Sequence, residues 1–218
     1  MQVLHQHIST VVGRYRGQVY AWDVVNEALD SNGNLRSNFW YQAIGPDYLD
    51  LAFQWAHEAD PQALLFYNDY SAESMNKKAD GVYNLVKRMK ARGIPIDGVG
   101  LEFHEELGAI PSLDEVAQNI SRLKSLGIQV QITELDIRIK NTSSPAQLAL
   151  QAQEYRDILK GCLDASNCTA LLMWGMTDKN SWIPNFYPGY GSALIFDGNY
   201  QPKPAYKALL DEMAIMKR

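Results

Sequence analysis

Five short apolar runs, each followed by a stretch of helical periodicity, constrain this fold more than any other feature of the chain. The runs cover residues 18–26, 64–67, 97–103, 128–134 and 170–174. Apolar spacing predicts helices over 46–59, 75–92, 112–126, 145–162 and 203–216, and a further one over 3–16 ahead of the first run. Pro46 and Pro204 mark two helix starts, Asp60-Pro61, Gly93 and Gly127 mark helix ends, and Ser112 with Glu115 reads as a capping box. Continuous rather than alternating apolar runs are typical of strands covered on both faces. The pattern therefore implies a parallel sheet clothed in helices.

Two architectures satisfy that pattern, a (β/α)8 barrel and an open doubly wound sheet. No Gly-x-Gly-x-x-Gly or phosphate-binding loop comes after any run, which leaves the nucleotide-binding version without support. The residues at the ends of the runs are polar and aromatic: Asn26-Glu27, Asn68-Asp69-Tyr70, His104, Glu134 and Trp174. Chemistry-bearing residues at the C-terminal ends of several different strands are the habit of the barrel. The fold class read here is thus α/β, of the (β/α)8 TIM-barrel type, with residues 1–218 as one domain. A full barrel has eight units and about 250 residues. Five are visible, so the expectation is a barrel lacking its three N-terminal βα units.

The net charge of -5 and the lack of a basic run, Lys87-Arg-Met-Lys-Ala-Arg92 reading as a solvated helix end, argue against a nucleic-acid partner. No apolar stretch approaches the roughly 18 residues that span a bilayer, so no membrane partner is expected. The N-terminus lacks the apolar segment of a signal peptide. Cys162 and Cys168 are the two cysteines, and the short turn between them fits a helix-to-strand connection that a disulfide could clip.

Glu27 and Glu134 each end an apolar run, where a carboxylate is costly unless it faces a cleft or has partners. Two carboxylates brought to one cleft from distant strands are the usual apparatus for cleaving a glycosidic bond.

Four motifs sharpen that reading. Trp22-Asp-Val-Val-Asn-Glu27 with Ala28-Leu-Asp30 resembles the acid/base motif of family 10 glycoside hydrolases, the endo-β-1,4-xylanases. Ile132-Thr-Glu134-Leu-Asp136 resembles their nucleophile motif, Asn68-Asp69-Tyr70 their fifth-strand signature and Trp174-Gly-Met-Thr-Asp178-Lys-Asn-Ser-Trp182 their last-strand signature. The motifs occur in the family's order and span essentially the whole chain.

The resemblance implies a retaining endo-1,4-β-xylanase with Glu27 as acid/base and Glu134 as nucleophile. In that mechanism the two carboxyls stand about 5–5.5 Å apart, and the acid must hold its proton near neutral pH. It further implies that His104 and Asp136 support the nucleophile and that Asn26 contacts the sugar 2-hydroxyl. Tyr70 then lies near the nucleophile, with Trp174 and Trp182 as flat walls for the sugar. Trp22 reads as core, and His5, His7 and His57 fall on helices without a role. No cofactor and no metal are implied. The partner is xylan or xylo-oligosaccharide, the protein is expected to be secreted, and a homodimer is expected to cover the open barrel edge.

This sequence departs from the resemblance at three points. Glu102 stands where the family usually has glutamine, a third carboxylate near two that need different protonation states. With Glu105 and Glu106 it could form a cation-binding cluster, although those two also suit a solvated loop. Ser71 stands where asparagine is common. The lysine, histidine, tryptophan and glutamine that the family carries on its first three strands have no counterpart here. Two rival functions stay open: a carbohydrate-binding or scaffold fragment without turnover, and a barrel glycosidase acting on β-glucan.

Overall fold

The computed structural model describes residues 1–140 and 142–216. Five parallel strands form the sheet in the order β1 (Ala21–Asn26), β2 (Leu64–Asp69), β3 (Gly98–Leu101), β5 (Gln129–Lys140) and β6 (Cys168–Met173). They are the five runs that the sequence marks. Between β3 and β5 the chain adds a short strand, β4 (His104–Glu106), which pairs in parallel with the C-terminal half of β5. A two-residue strand, β7 (Tyr190–Gly191), pairs antiparallel with the end of β5.

Helices α1 (Gln2–Arg14), α3 (Tyr48–Ala59), α4 (Lys77–Ala91), α5 (Leu113–Ser125), α6 (Pro145–Asp164) and α8 (Pro204–Met216) lie where periodicity places them. Histidines 5 and 7 fall on α1 and His57 on α3. The two short pieces α2 (Phe39–Ile44) and α7 (Ile183–Phe186), of six and four residues, are too short to show a period.

Apolar side chains from one face of the strands meet the helices. Leu65 and Tyr67 of β2, Val99 and Leu101 of β3 and Val130 and Ile132 of β5 pack with Phe53, Val86, Met89, Ile120 and Ile158. Burying a side chain such as Phe53 or Ile120 contributes about 1.5–3 kcal/mol each, which is what holds the layers together. The opposite face carries the polar residues. Phe66 and Asn68 of β2 stand beside Gly98 and Gly100 of β3, whose lack of side chains gives both room.

The sheet is curled rather than flat. Residues of β1, β5 and β6, including Asp23, Gln131, Thr133 and Leu172, line one hollow of about 330 Å³ although β1 and β6 lie at opposite ends of the strand order. This is the curvature of an arc of a barrel, with its concave side toward the polar residues. The result agrees with the α/β barrel-type expectation over the five visible units.

Three local expectations change. The run 97–103 breaks after Leu101, because Phe103 adopts a left-handed backbone (φ 58) that turns its ring into the core and starts β4 at His104. Ser112 caps α5 without a side-chain hydrogen bond, so its capping box is absent; the reciprocal box forms instead at Ser144 and Gln147 of α6. Trp22 packs against the core but is only partly buried. The Cys162–Cys168 disulfide is formed, clipping the last turn of α6 to the start of β6. Among the described residues no helix is long and apolar enough to cross a membrane.

Candidate active site

The C-terminal ends of the strands converge on a cleft of about 550 Å³. Three residues one or two positions beyond β1, β2 and β3, namely Glu27, Ser71 and Phe103, have left-handed backbones (φ 53, 51 and 58). Such conformations cost of order 1–3 kcal/mol outside glycine and persist where the surroundings over-determine them. At Glu27 the backbone N–H is held by the Asn68 carbonyl at 2.9 Å, which fixes the turn that exposes the carboxylate.

Asn68 is the hub. Its Nδ2 lies 2.8 Å from Asn26 Oδ1, 2.9 Å from Glu134 Oε1 and 3.2 Å from Glu102 Oε1. The Thr133 hydroxyl donates to Asn68 Oδ1 at 2.7 Å and so sets which way the amide points. A Cβ on Gly100 would come within 2.0 Å of that oxygen, so the amide can occupy this place only beside a glycine. On β5 the pairing with β6 shifts register between Ile132 and Leu135, and both Thr133 and Glu134 reach the concave side. Bulges commonly re-aim a side chain in this way.

Register explains the histidine. His104 stands opposite Asp136 in the β4–β5 ladder, and its Nδ1 lies 3.0 Å from Asp136 Oδ2. Its Nε2 lies 3.2 Å from Glu134 Oε2 and 3.6 Å from Glu102 Oε2. Trp182 donates its indole N–H to the same Asp136 oxygen at 2.8 Å and packs edge-on against the imidazole.

Charge in the cleft is shared unevenly. Burial, then the carboxylates of Glu134 and Glu27, push the Glu102 carboxyl up to about 8. For His104 burial opposes the charge, but hydrogen bonds to Asp136 and Glu134 overcome it and lift the imidazole to about 10. Glu105 is also raised to about 8, by burial and then by Glu73, with Arg138 opposing. Donor atoms of Glu102, His104 and Glu134 come within 4.8 Å of one another. The imidazole is engaged by Glu134 and Asp136 and the Asn68 amide by both glutamates, so the cluster reads as a hydrogen-bonded network, and none of the three is assigned as a metal ligand.

On the β1–β2 side, Arg36 pairs with Glu27 at 3.3 Å and hydrogen-bonds the Tyr70 hydroxyl. The pair is a third exposed and contributes about 0–1 kcal/mol. Below it Lys78 makes a buried pair with Asp69 at 2.7 Å and stacks over the Tyr70 ring, fixing that ring at the cleft wall.

Of the residues selected from the sequence, Glu27, Glu134, His104, Asn26, Tyr70, Glu102, Trp174 and Trp182 line this one cleft, and Asp136 lies behind His104. Sequence reasoning assigned no role to Asn68 and overlooked Arg36, Glu73, Phe186 and Tyr187. Asn68 was visible inside a recognised motif. Arg36 lies in irregular chain after β1 and carries no local signal.

A curled parallel α/β sheet whose strand ends gather carboxylates, an amide hub, a histidine and tryptophans in one cleft is the arrangement of an α/β-barrel protein with its site at the strand ends. The model of glycosyl hydrolase family 10 matches residues 1–212, and the chain belongs to that family. Endo-1,4-beta-xylanase B of Thermotoga neapolitana is 45% identical over 98% of this chain and 62% of its own length. Endo-1,4-beta-xylanase 1 of Humicola insolens is 43% identical over 97% of this chain and 50% of its own. The crystal structure of xylanase 10B from Thermotoga petrophila in complex with xylobiose superposes with a TM-score of 0.96 at 44% identity, covering 100% of this chain and 66% of that one. The chain thus spans about half to two thirds of the length of these relatives.

Proposed function

We propose that this chain carries the bond-cleaving machinery of a retaining endo-1,4-β-xylanase, working by double displacement as one catalytic domain over residues 1–218. Glu134 attacks the anomeric carbon while Glu27 protonates the departing oxygen; Glu27 then takes a proton from the water that releases the glycosyl-enzyme. The observation that carries this reading is the Asn68 amide reaching Asn26 and Glu134 together, which ties a sugar-contacting amide and a nucleophile into one unit. His104, held by Asp136, donates to the other Glu134 oxygen and keeps that carboxylate in a single orientation.

Trp174 is half exposed and Trp182 flanks the histidine, so both offer apolar faces to a sugar ring. The reading takes xylan or xylo-oligosaccharide as substrate, in keeping with the xylobiose bound by the related crystal structure. The disulfide supports an oxidising, extracellular setting. The outer edges of β1 and β6 and the exposed Tyr20 and Leu172 support a second copy of the chain covering them, which light scattering would report as a dimer.

Reducing-sugar release from xylan by the native protein, Glu134→Gln and Glu27→Gln tests the assignment. Removing general acid catalysis should cost on the order of 10²–10⁴-fold, and removing the nucleophile at least as much. Equal sugar release by the native protein and Glu134→Gln would exclude Glu134 as nucleophile. Xylan binding without turnover would favour a carbohydrate-binding role, and turnover of β-glucan in preference to xylan would move the substrate class.

A further inference from the structure

Three of the five glutamates that line this cleft, Glu27, Glu102 and Glu134, are gathered with one imidazole and one amide hub, and the two donors do not serve them equally. Glu134 has Asn68 Nδ2 at 2.9 Å and His104 Nε2 at 3.2 Å. Glu102 has Asn68 Nδ2 at 3.2 Å, and His104 Nε2 lies 3.6 Å away, outside hydrogen-bond reach. Glu102 is also the deeper of the two, at 2% exposed against 9%. A buried carboxyl with the poorer set of donors is the one that keeps its proton when another carboxylate stands close by.

We propose that Glu102 is a positioning residue for Glu134: it holds a proton through neutral pH and, being neutral, leaves the His104 and Asn68 donors to the nucleophile. Ionised, its oxygens at 3.6 Å from His104 and 3.2 Å from Asn68 would draw both donors off Glu134 and set a second negative charge within 4.8 Å of it. Loss of that proton then sets the alkaline limb of turnover. This rests on the hydrolase reading for the role of Glu134.

The groups facing Glu102 come from every neighbouring element. Glu134 lies on β5, Glu27 comes directly after β1 with Arg36 against it, His104 begins β4, and Asp69 ends β2, its carbonyl accepting from the Glu102 N–H and its charge met by Lys78. The cations on Glu27 and Asp69 are bound to their own carboxylates. Among the described residues His104 is therefore the cation left to face Glu102, and it points at Glu134. The upward shift of the Glu102 carboxyl, from burial first and Glu134 second, agrees with the geometry.

Carboxyl carbon NMR of protein labelled at the glutamate side-chain carbonyl, titrated from acid to alkaline pH, reads the proton directly. The native protein should show a glutamate resonance titrating near pH 8 that is missing from Glu102→Gln. If the resonance that this substitution removes titrates in the ordinary carboxylate range, the proposal is overturned. In parallel, kcat/KM on an aryl xylobioside, each protein normalised to its own maximum, should fall near pH 8 for the native enzyme. In Glu102→Gln the fall should come about one pH unit or more later. Coincident alkaline limbs would also overturn it, since a purely structural side chain would not move them. If neither protein turns over substrate, the hydrolase reading fails, and the carboxyl titration alone decides this one.

Discussion

Trp182 donates its indole N–H to Asp136 Oδ2, the oxygen that also faces His104 Nδ1, so one fully buried carboxylate oxygen ties the aromatic wall to the histidine that orients Glu134. The other oxygen of Asp136 has no hydrogen-bond partner, which makes these two donors the whole of its support among the described residues. An aromatic side chain taken from sequence as a sugar platform is thereby also tied to the histidine that faces Glu134.

Trp182→Phe keeps most of the wall but removes that N–H. A buried charged group deprived of a partner costs about 1–3 kcal/mol, and the expected loss of stability lies in that range. Denaturant unfolding measures it. Turnover should fall as well, because His104 is then held by an anion with one donor fewer. An unchanged unfolding midpoint would show that the bond contributes nothing to the fold.

Gly100→Ala tests the packing under the hub. The added methyl would meet Asn68 Oδ1 at 2.0 Å and Thr133 Cγ2 at 2.8 Å, so the amide must swing away from Asn26, Glu102 and Glu134. Overpacking of this kind costs about 1–3 kcal/mol. On the proposed assignment of Glu134 as nucleophile, xylan hydrolysis should drop on the order of 10²-fold as that carboxylate loses a donor. Thermal unfolding and initial rates on the same preparation check both effects.

Glu105 makes stability fall with rising pH. Its folded carboxyl is raised from 4.5 to about 8, by burial and by Glu73, so the folded state holds a proton that the unfolded chain releases near 4.5. Between those values the folded state binds more protons, and unfolding becomes easier as pH rises. Glu105→Gln should flatten this slope, with its unfolding midpoint gaining on the native protein from pH 5 to pH 8. Parallel midpoints over that window would show that Glu105 titrates normally.

Reducing the Cys162–Cys168 disulfide should lower stability without altering turnover at moderate temperature. The bridge closes a loop of six-residue separation, for which chain entropy gives about 2 kcal/mol. It ties the N-terminal end of β6, whereas the cleft is built at the C-terminal ends of the strands. Cys162→Ser with Cys168→Ser should show a lower melting temperature and an unchanged rate on xylan well below it.

Local chemistry was enough to read the strand and helix order, since apolar runs and helical periodicity are properties of the chain itself. The runs at 18–26, 64–67 and 170–174 and the helix start at Pro204 needed nothing more, whereas Pro46 lies ahead of the Asp47 cap of α3 and the run 128–134 continues as a strand to Lys140. Residue identity in four motifs, together with carboxylates at strand ends, was enough to indicate the family and to select the cleft residues. Relations that depend on register and on side chains from distant strands were not legible. The break at Phe103 comes from burying its ring, and only that break sets His104 opposite Asp136. Asn68 became a hub because Gly100 beside it has no side chain and Thr133 fixes its amide. Arg36 met Glu27 and Tyr70 through a loop that has no period to read. The sequence by itself determined which groups are present and on which elements they sit. The tertiary structure alone decided how few donors serve three carboxylates, because that count depends on distances between strands that are far apart in the chain.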